Sequence, residues 1–178
     1  ASPLAAQAKG LMGAFKGLHY LHKRNPQVIH RDLKACNILL DERWDAKLSD
    51  FGVSRFCKGA TKALTSFAGT VAWMAPELLR AEDSYDYKVD VYAMGMVIFE
   101  ALTHEFPFDG LHMGQLTIKV AIQGKRPQLW GCAQNSEKVL QDIMVRCWSQ
   151  VGGGYPCVWL ACAVCVVCIV CIVSDVAV

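Results

Sequence analysis

Four residues able to handle metals and protons fall between positions 32 and 50: Asp32, Lys34, Asn37 and Asp50. The first three belong to the run His30-Arg31-Asp32-Leu33-Lys34-Ala35-Cys36-Asn37. Asp50-Phe51-Gly52 begins thirteen residues beyond Asn37, and Ala75-Pro76-Glu77 comes further along. Carboxylate and amide oxygens are the hard ligands that magnesium prefers. A carboxylate beside a hydroxyl can also accept or orient its proton. Taken singly, Asp32 and Asp50 read equally well as turn or cap residues; their company argues otherwise.

The flanking segments supply a scaffold. Leu4, Ala8, Leu11, Phe15, Leu18 and His22 recur at three- and four-residue steps, which predicts an amphipathic helix over 4–22 that Asn25-Pro26 ends. Short apolar runs lie at 28–29, 38–40 and 46–48. The polar stretch from Asp41 to Asp45 predicts a small hairpin between the last two. Residues 53–70, rich in Ser, Thr, Gly and Lys, read as a loop. Residues 89–102 are apolar on nearly every helical face, so this helix is expected to be buried all round. Gly95 in its middle suggests close packing against another backbone. Shorter helices are expected at 115–122 and 136–148, the latter with Val139, Leu140, Ile143, Met144 and Cys147 on its inner face.

Composition divides the chain in two. Of its 178 residues 53% are hydrophobic, yet 149–178 contain a single charged side chain, Asp175. Residues 1–148 hold all 18 Lys and Arg and 15 of the 16 Asp and Glu, a balance of +3 with no basic run of the kind that nucleic acid would require. The opening residues show no charged stretch followed by an apolar one, so no secretory signal is expected. Cys36, Cys57, Cys132 and Cys147 show no paired spacing, which fits free thiols in a reducing, cytoplasmic setting.

The ordered set of three motifs resembles the protein-kinase signature HRDLKxxN, DFG and APE. One tripeptide alone would be weak; the three in order leave little room for coincidence. The resemblance covers about 1–148. It implies a mainly α fold of the α+β kinase family: the C-terminal lobe, helical with a small β-hairpin, with the N-terminal lobe absent. It also implies ATP and Mg²⁺ as cofactors and a protein Ser/Thr substrate. Asp32 would then be the catalytic base, Lys34 would touch the γ-phosphate, and Asn37 and Asp50 would hold Mg²⁺. His30 and Phe51 would pack in the regulatory spine, and Asp90 would bond the catalytic-loop backbone. Glu77 and Arg146 would form a buried ion pair. Arg31 beside the base implies regulation through a phosphorylated loop, with Thr61, Thr65 and Ser66 as acceptors and Thr70 facing the base. Lys34, Gly69-Thr70 and the phrases AGTVAWMAPELL and KVDVYAMGMVIFEALT are most similar to the tyrosine-kinase-like group, whose members mostly modify Ser or Thr.

Two departures qualify these expectations. No Gly-rich loop, strand Lys or partner Glu precedes the helix at 4–22, so ATP is expected to bind weakly and the isolated chain to show little activity. A non-catalytic, pseudokinase-like binding module is the alternative; a small-molecule phosphotransferase fits Ala75-Pro76-Glu77 less well. After Trp148, Gly152-Gly153-Gly154 leads into 17 uncharged residues, 157–173. This tail reads as a low-complexity stretch without a selected role, prone to aggregate. A membrane anchor is a second reading, with the kinase lobe cytosolic, at the lower limit of length and without flanking Lys or Arg. A metal site at Cys162, Cys165, Cys168 and Cys171 is a third, for which the intervening Ala, Val and Ile offer no supporting donors.

Overall fold

Helix α1 (Pro3–His22) turns Ala8, Leu11, Phe15 and Leu18 into the core, each 6% exposed or less. The computed structural model of the chain describes residues 3–53, 55–56, 71–129 and 135–149. On another face of α1, the missing side chain of Gly13 lets the β-hairpin approach. A Cβ there would lie 2.8 Å from Ala46 Cβ and 3.1 Å from the Ala46 backbone nitrogen. The hairpin consists of β2 (Ile38–Leu40) and β3 (Ala46–Leu48), paired antiparallel with Ile38 opposite Leu48. Its turn is closed by Asp41, whose Oδ1 accepts the backbone N–H groups of Arg43 and Asp45, both at 2.9 Å. The Asp45 bond, foremost, holds the Asp41 carboxyl below its ordinary range. Lys9 of α1 clasps the same turn through a 2.9 Å ion pair with Asp45 and a hydrogen bond to the Arg43 carbonyl.

A second antiparallel pair has no counterpart in the sequence pattern. Strand β1 (Val28–Ile29) meets β4 (Arg55–Phe56), with Val28 opposite Phe56. Two-residue strands carry no periodicity, and this pairing spans the whole catalytic stretch. The fold is otherwise helical, with two small sheets of two strands each among the described residues.

Helix α2 (Pro76–Leu79) starts with proline at its first turn, where no N–H is missed. Helix α3 (Lys88–Thr103) is the centre of the molecule: every residue from Val89 to Phe99 is buried. It ends where His104 adopts a left-handed conformation (φ 59°) and donates its N–H to the Glu100 carbonyl. The helix expected at 115–122 begins earlier. Helix α4 (Met113–Leu116) is capped by His112, whose ring accepts the Gln115 N–H while the Gln115 side chain accepts the His112 N–H. Histidine is not a usual capping residue, which hides this start in the sequence. The chain then continues in π-helical turns over Thr117–Ile122.

Helix α5 (Asn135–Trp148) lays Leu140, Ile143, Met144 and Cys147 into the core against α3, with Val139 half-buried. Gly95 of α3 lies at this contact, but its neighbours are side chains rather than the expected backbone. A Cβ at Gly95 would fall 2.5 Å from Trp148 Nε1 and 2.9 Å from Cys147 Cβ. The tail at 157–173 lies outside the described residues. Among those described, no helix is long and apolar enough to cross a membrane.

Ala in place of Gly95 sets a gain in helix propensity of about 1 kcal/mol against overpacking that costs about 1–3 kcal/mol. Trp148 is 6% exposed and has nowhere to retreat. Thermal unfolding followed by circular dichroism is expected to show Gly95→Ala melting below the parent chain, and Gly95→Val lower still.

Candidate active site

The catalytic stretch runs from β1 to β2 and is nearly all irregular, so its shape depends on side-chain bonds to its backbone. Asp90, fully buried in the first turn of α3, provides them. Its Oδ2 accepts the His30 N–H at 2.9 Å and its Oδ1 accepts the Arg31 N–H at 2.8 Å. His22, at the end of α1, donates its Nε2–H to Oδ2 at 2.7 Å. Arg31 has left-handed backbone (φ 71°), a costly conformation for a long side chain, and the Asp90 bond to its own N–H holds it there. The Arg31 guanidinium lies 5.7 Å from the centre of the Tyr85 ring.

His30 links the stretch to the segment just beyond β3. Its Nε2–H donates to the Ser49 carbonyl at 3.0 Å, and its Nδ1 accepts the Asp32 N–H at 3.4 Å. Its ring packs against Phe51 with centroids 5.1 Å apart, while Phe51 keeps its other side exposed. Ser49 binds back: its N–H and hydroxyl both donate to the Asn37 carbonyl, at 2.9 and 3.2 Å. Asp50 is therefore held one residue from a direct bond to Asn37. It takes the left-handed conformation (φ 60°) that Asp tolerates better than most residues, and its Oδ1 accepts the Gly52 N–H at 3.4 Å.

Asp32, Lys34 and Asn37 come together. Asp32 is buried, and its Oδ2 receives Asn37 Nδ2–H at 3.0 Å and Lys34 Nζ at 3.2 Å. Asn37 Nδ2 also donates to the Asp32 carbonyl at 2.7 Å. The other oxygen, Asp32 Oδ1, is buried without a hydrogen-bond partner among the described residues. An unmatched buried carboxylate oxygen is costly, and it suits a hydroxyl donor arriving from outside. Asn37, by spending both amide hydrogens on Asp32, leaves its Oδ1 to the Cys36 thiol, which approaches at 3.7 Å among the described residues.

That oxygen and the exposed Asp50 carboxylate are donors of the hard kind that magnesium takes. No group of three His, Cys, Asp or Glu gathers among the described residues. A closed protein cage is not what magnesium needs, however, since it keeps several waters and takes one or two carboxylates.

Two further residues, Glu100 and Trp73, give no such signal in the sequence. Glu100, near the end of α3, accepts Trp73 Nε1–H at 2.6 Å and the Ala35 N–H at 3.3 Å, joining the segment before Ala75-Pro76-Glu77 to the catalytic loop. Burial pushes its carboxyl above the ordinary 4.5, and those two donors oppose the shift. An acid one turn from the end of a buried helix gives no local sign of such contacts. The expected Glu77–Arg146 pair is not among the ion pairs of the described residues. Glu77 sits half-buried in the first turn of α2, and Arg146 lies exposed in the last turn of α5, where it suits the helix dipole. Thr61, Thr65, Ser66 and Thr70 lie outside the described residues.

Comparison with known proteins agrees with this geometry. The protein kinase domain profile matches residues 5–151, so the chain belongs to the protein kinase family. Among similar proteins, the serine/threonine-protein kinase STY46 of Arabidopsis thaliana is 40% identical over 133 residues, 75% of this chain and 22% of its own length. The serine/threonine-protein kinase CTR1 of the same plant is 39% identical over 134 residues, 75% of this chain and 16% of its own. The chain thus spans less than a quarter of either relative.

Replacing Asp90 by Ala strips a buried N–H group, a part-buried one and His22 of their acceptor at once. Loss of about 3–5 kcal/mol is expected from urea unfolding, on the scale of a broken buried pair, with Asp90→Asn losing less. Glu100 makes a separate claim. Its raised carboxyl contributes stability below pH 4.5 that is lost as pH rises through its folded-state value. Glu100→Gln is therefore expected to flatten the fall in urea midpoint between pH 4.5 and neutrality.

Proposed function

We propose that this chain is the C-terminal-lobe part of a Ser/Thr protein kinase of the tyrosine-kinase-like group, transferring the γ-phosphate of ATP to a protein hydroxyl. The observation that carries the reading is Asp32: one oxygen fastened by Lys34 and Asn37, the other buried and without a hydrogen-bond partner among the described residues. In that pose Asp32 accepts or orients the hydroxyl proton while the fastened oxygen keeps the carboxylate from swinging. Magnesium, when bound, neutralises phosphate charge. Asn37 Oδ1 and the Asp50 carboxylate would hold it, and Lys34 would supply positive charge toward the γ-phosphate.

Support for Ser/Thr specificity comes from Lys34, from the phrase AGTVAWMAPELL, and from the names of the two Arabidopsis relatives. Arg31, held close to the base by Asp90, would read a phosphate on Thr61, Thr65 or Ser66.

The test uses this chain within its native reading frame, with labelled Mg-ATP and a Ser/Thr peptide mixture. Asp32→Asn is expected to lower kcat by about 10²–10⁴-fold, the worth of a positioned base, and Asp50→Asn to weaken Mg-ATP use at low magnesium. Full transfer by Asp32→Asn would contradict the assignment.

A further inference from the structure

The outer face of α1 is a row of cations with no acid among them. Between Ala5 and His22 only Lys9, Lys16 and Tyr20 are exposed, and the exposed Lys23 and Arg24 follow directly. Steps of seven, four and three residues put Lys9, Lys16, Tyr20 and Lys23 on one line of a helix with 3.6 residues per turn. Lys23 keeps to that line, because its N–H still bonds the His19 carbonyl at 3.0 Å. We propose that this face is a docking surface for an anionic phospholipid bilayer. The proposal stands apart from the phosphotransfer reading.

Charge is the first argument. No Asp or Glu occurs before Asp32, so the helix cannot neutralise its own row. Lys9 finds its counter-charge across the fold, in Asp45 at 2.9 Å. Lys16, Lys23 and Arg24 take part in none of the ion pairs of the described residues. Three such cations within about 12 Å of helix axis fit an anionic partner.

Shape and an aromatic ring decide which partner. Lipid headgroups spread negative charge over a plane, whereas a phosphopeptide is gripped by donors that converge on one group. The row runs straight along the helix. A cleft of about 350 Å³ beside the catalytic loop meets α1 at Gln7, Gly10 and Leu11 instead, so it adds no recess to the row. Tyr20, 61% exposed, stands within the row, with the Arg24 guanidinium 5.4 Å from its ring centre. An amphipathic ring flanked by cations suits the headgroup level of a bilayer, where tyrosine is enriched.

Vesicle flotation with the full 178-residue chain tests the proposal. Vesicles of phosphatidylcholine alone read any charge-independent binding, that of the uncharged stretch 157–173 included. Equimolar phosphatidylserine and phosphatidylcholine add the anionic surface. Each Lys or Arg near such a surface is worth about fivefold, so three give about a hundredfold preference for the anionic vesicles at low salt. Lys16→Gln, Lys23→Gln and Arg24→Gln together are expected to remove most of that preference, and molar salt to do the same. A second triple variant, Lys119→Gln, Lys125→Gln and Lys138→Gln, removes equal charge from other elements and is expected to keep most of it. All six positions are exposed, so neither variant endangers the fold. Equal binding to both kinds of vesicle, or an equal loss in the two triple variants, overturns the proposal. Capture of a labelled acidic peptide without any vesicle preference would overturn it too, and would assign the face to a protein partner.

Discussion

A single buried carboxylate organises this molecule. Asp90 sits on the most buried helix of the chain, where an acid is tolerated only when its oxygens are fully matched. The matching groups are His22 and the backbone of His30 and Arg31, so the need to satisfy Asp90 is also what shapes the catalytic stretch. The left-handed turn at Arg31 then sends Asp32 inward. Satisfying a core charge and aiming a reactive one are one event here.

From that anchor the order spreads by short polar links. His30 bonds Ser49, Ser49 bonds Asn37, and Asn37 bonds Asp32, closing a ring of contacts around the site. None of these residues belongs to a long regular element, and the two strands beside them are three residues each. The rigidity that chemistry requires therefore comes from hydrogen bonds between loops, with α1 and α3 as the platform. Glu100 extends the same platform to Trp73 and joins the catalytic loop to the segment beyond the second motif.

Much of this is legible in the sequence, and the reasons differ by element. The stripe of α1 and the apolar run of α3 declare themselves because burial leaves a period, or its absence, in the sequence. The hairpin is legible because a polar turn separates two apolar runs. The pairing of Val28–Ile29 with Arg55–Phe56 is not, since two residues have no pattern and the partner lies far along the chain. The role of Gly95 is half visible: a glycine in a buried helix signals close approach, but not that Trp148 is the neighbour. The motifs draw attention to Asp32, Lys34, Asn37 and Asp50. They cannot show which oxygen of Asp32 is left open, which depends on how Lys34 and Asn37 divide the other. For Glu77 and Arg146 the resemblance suggests a pair that is not among the ion pairs of the described residues.

The central claim is that Asp32, Asn37 and Asp50 serve one magnesium–phosphate centre. Paramagnetic broadening by Mn²⁺ with ATP, read residue by residue in NMR spectra, tests it most directly. One centre there would broaden the Asn37 side-chain amide together with the backbone amides of Asp50 and Gly52, and would leave the Asp41–Asp45 turn sharp. Broadening confined to that turn, or an Asn37 amide that stays sharp while Asp50 broadens, would show that these oxygens do not share a metal.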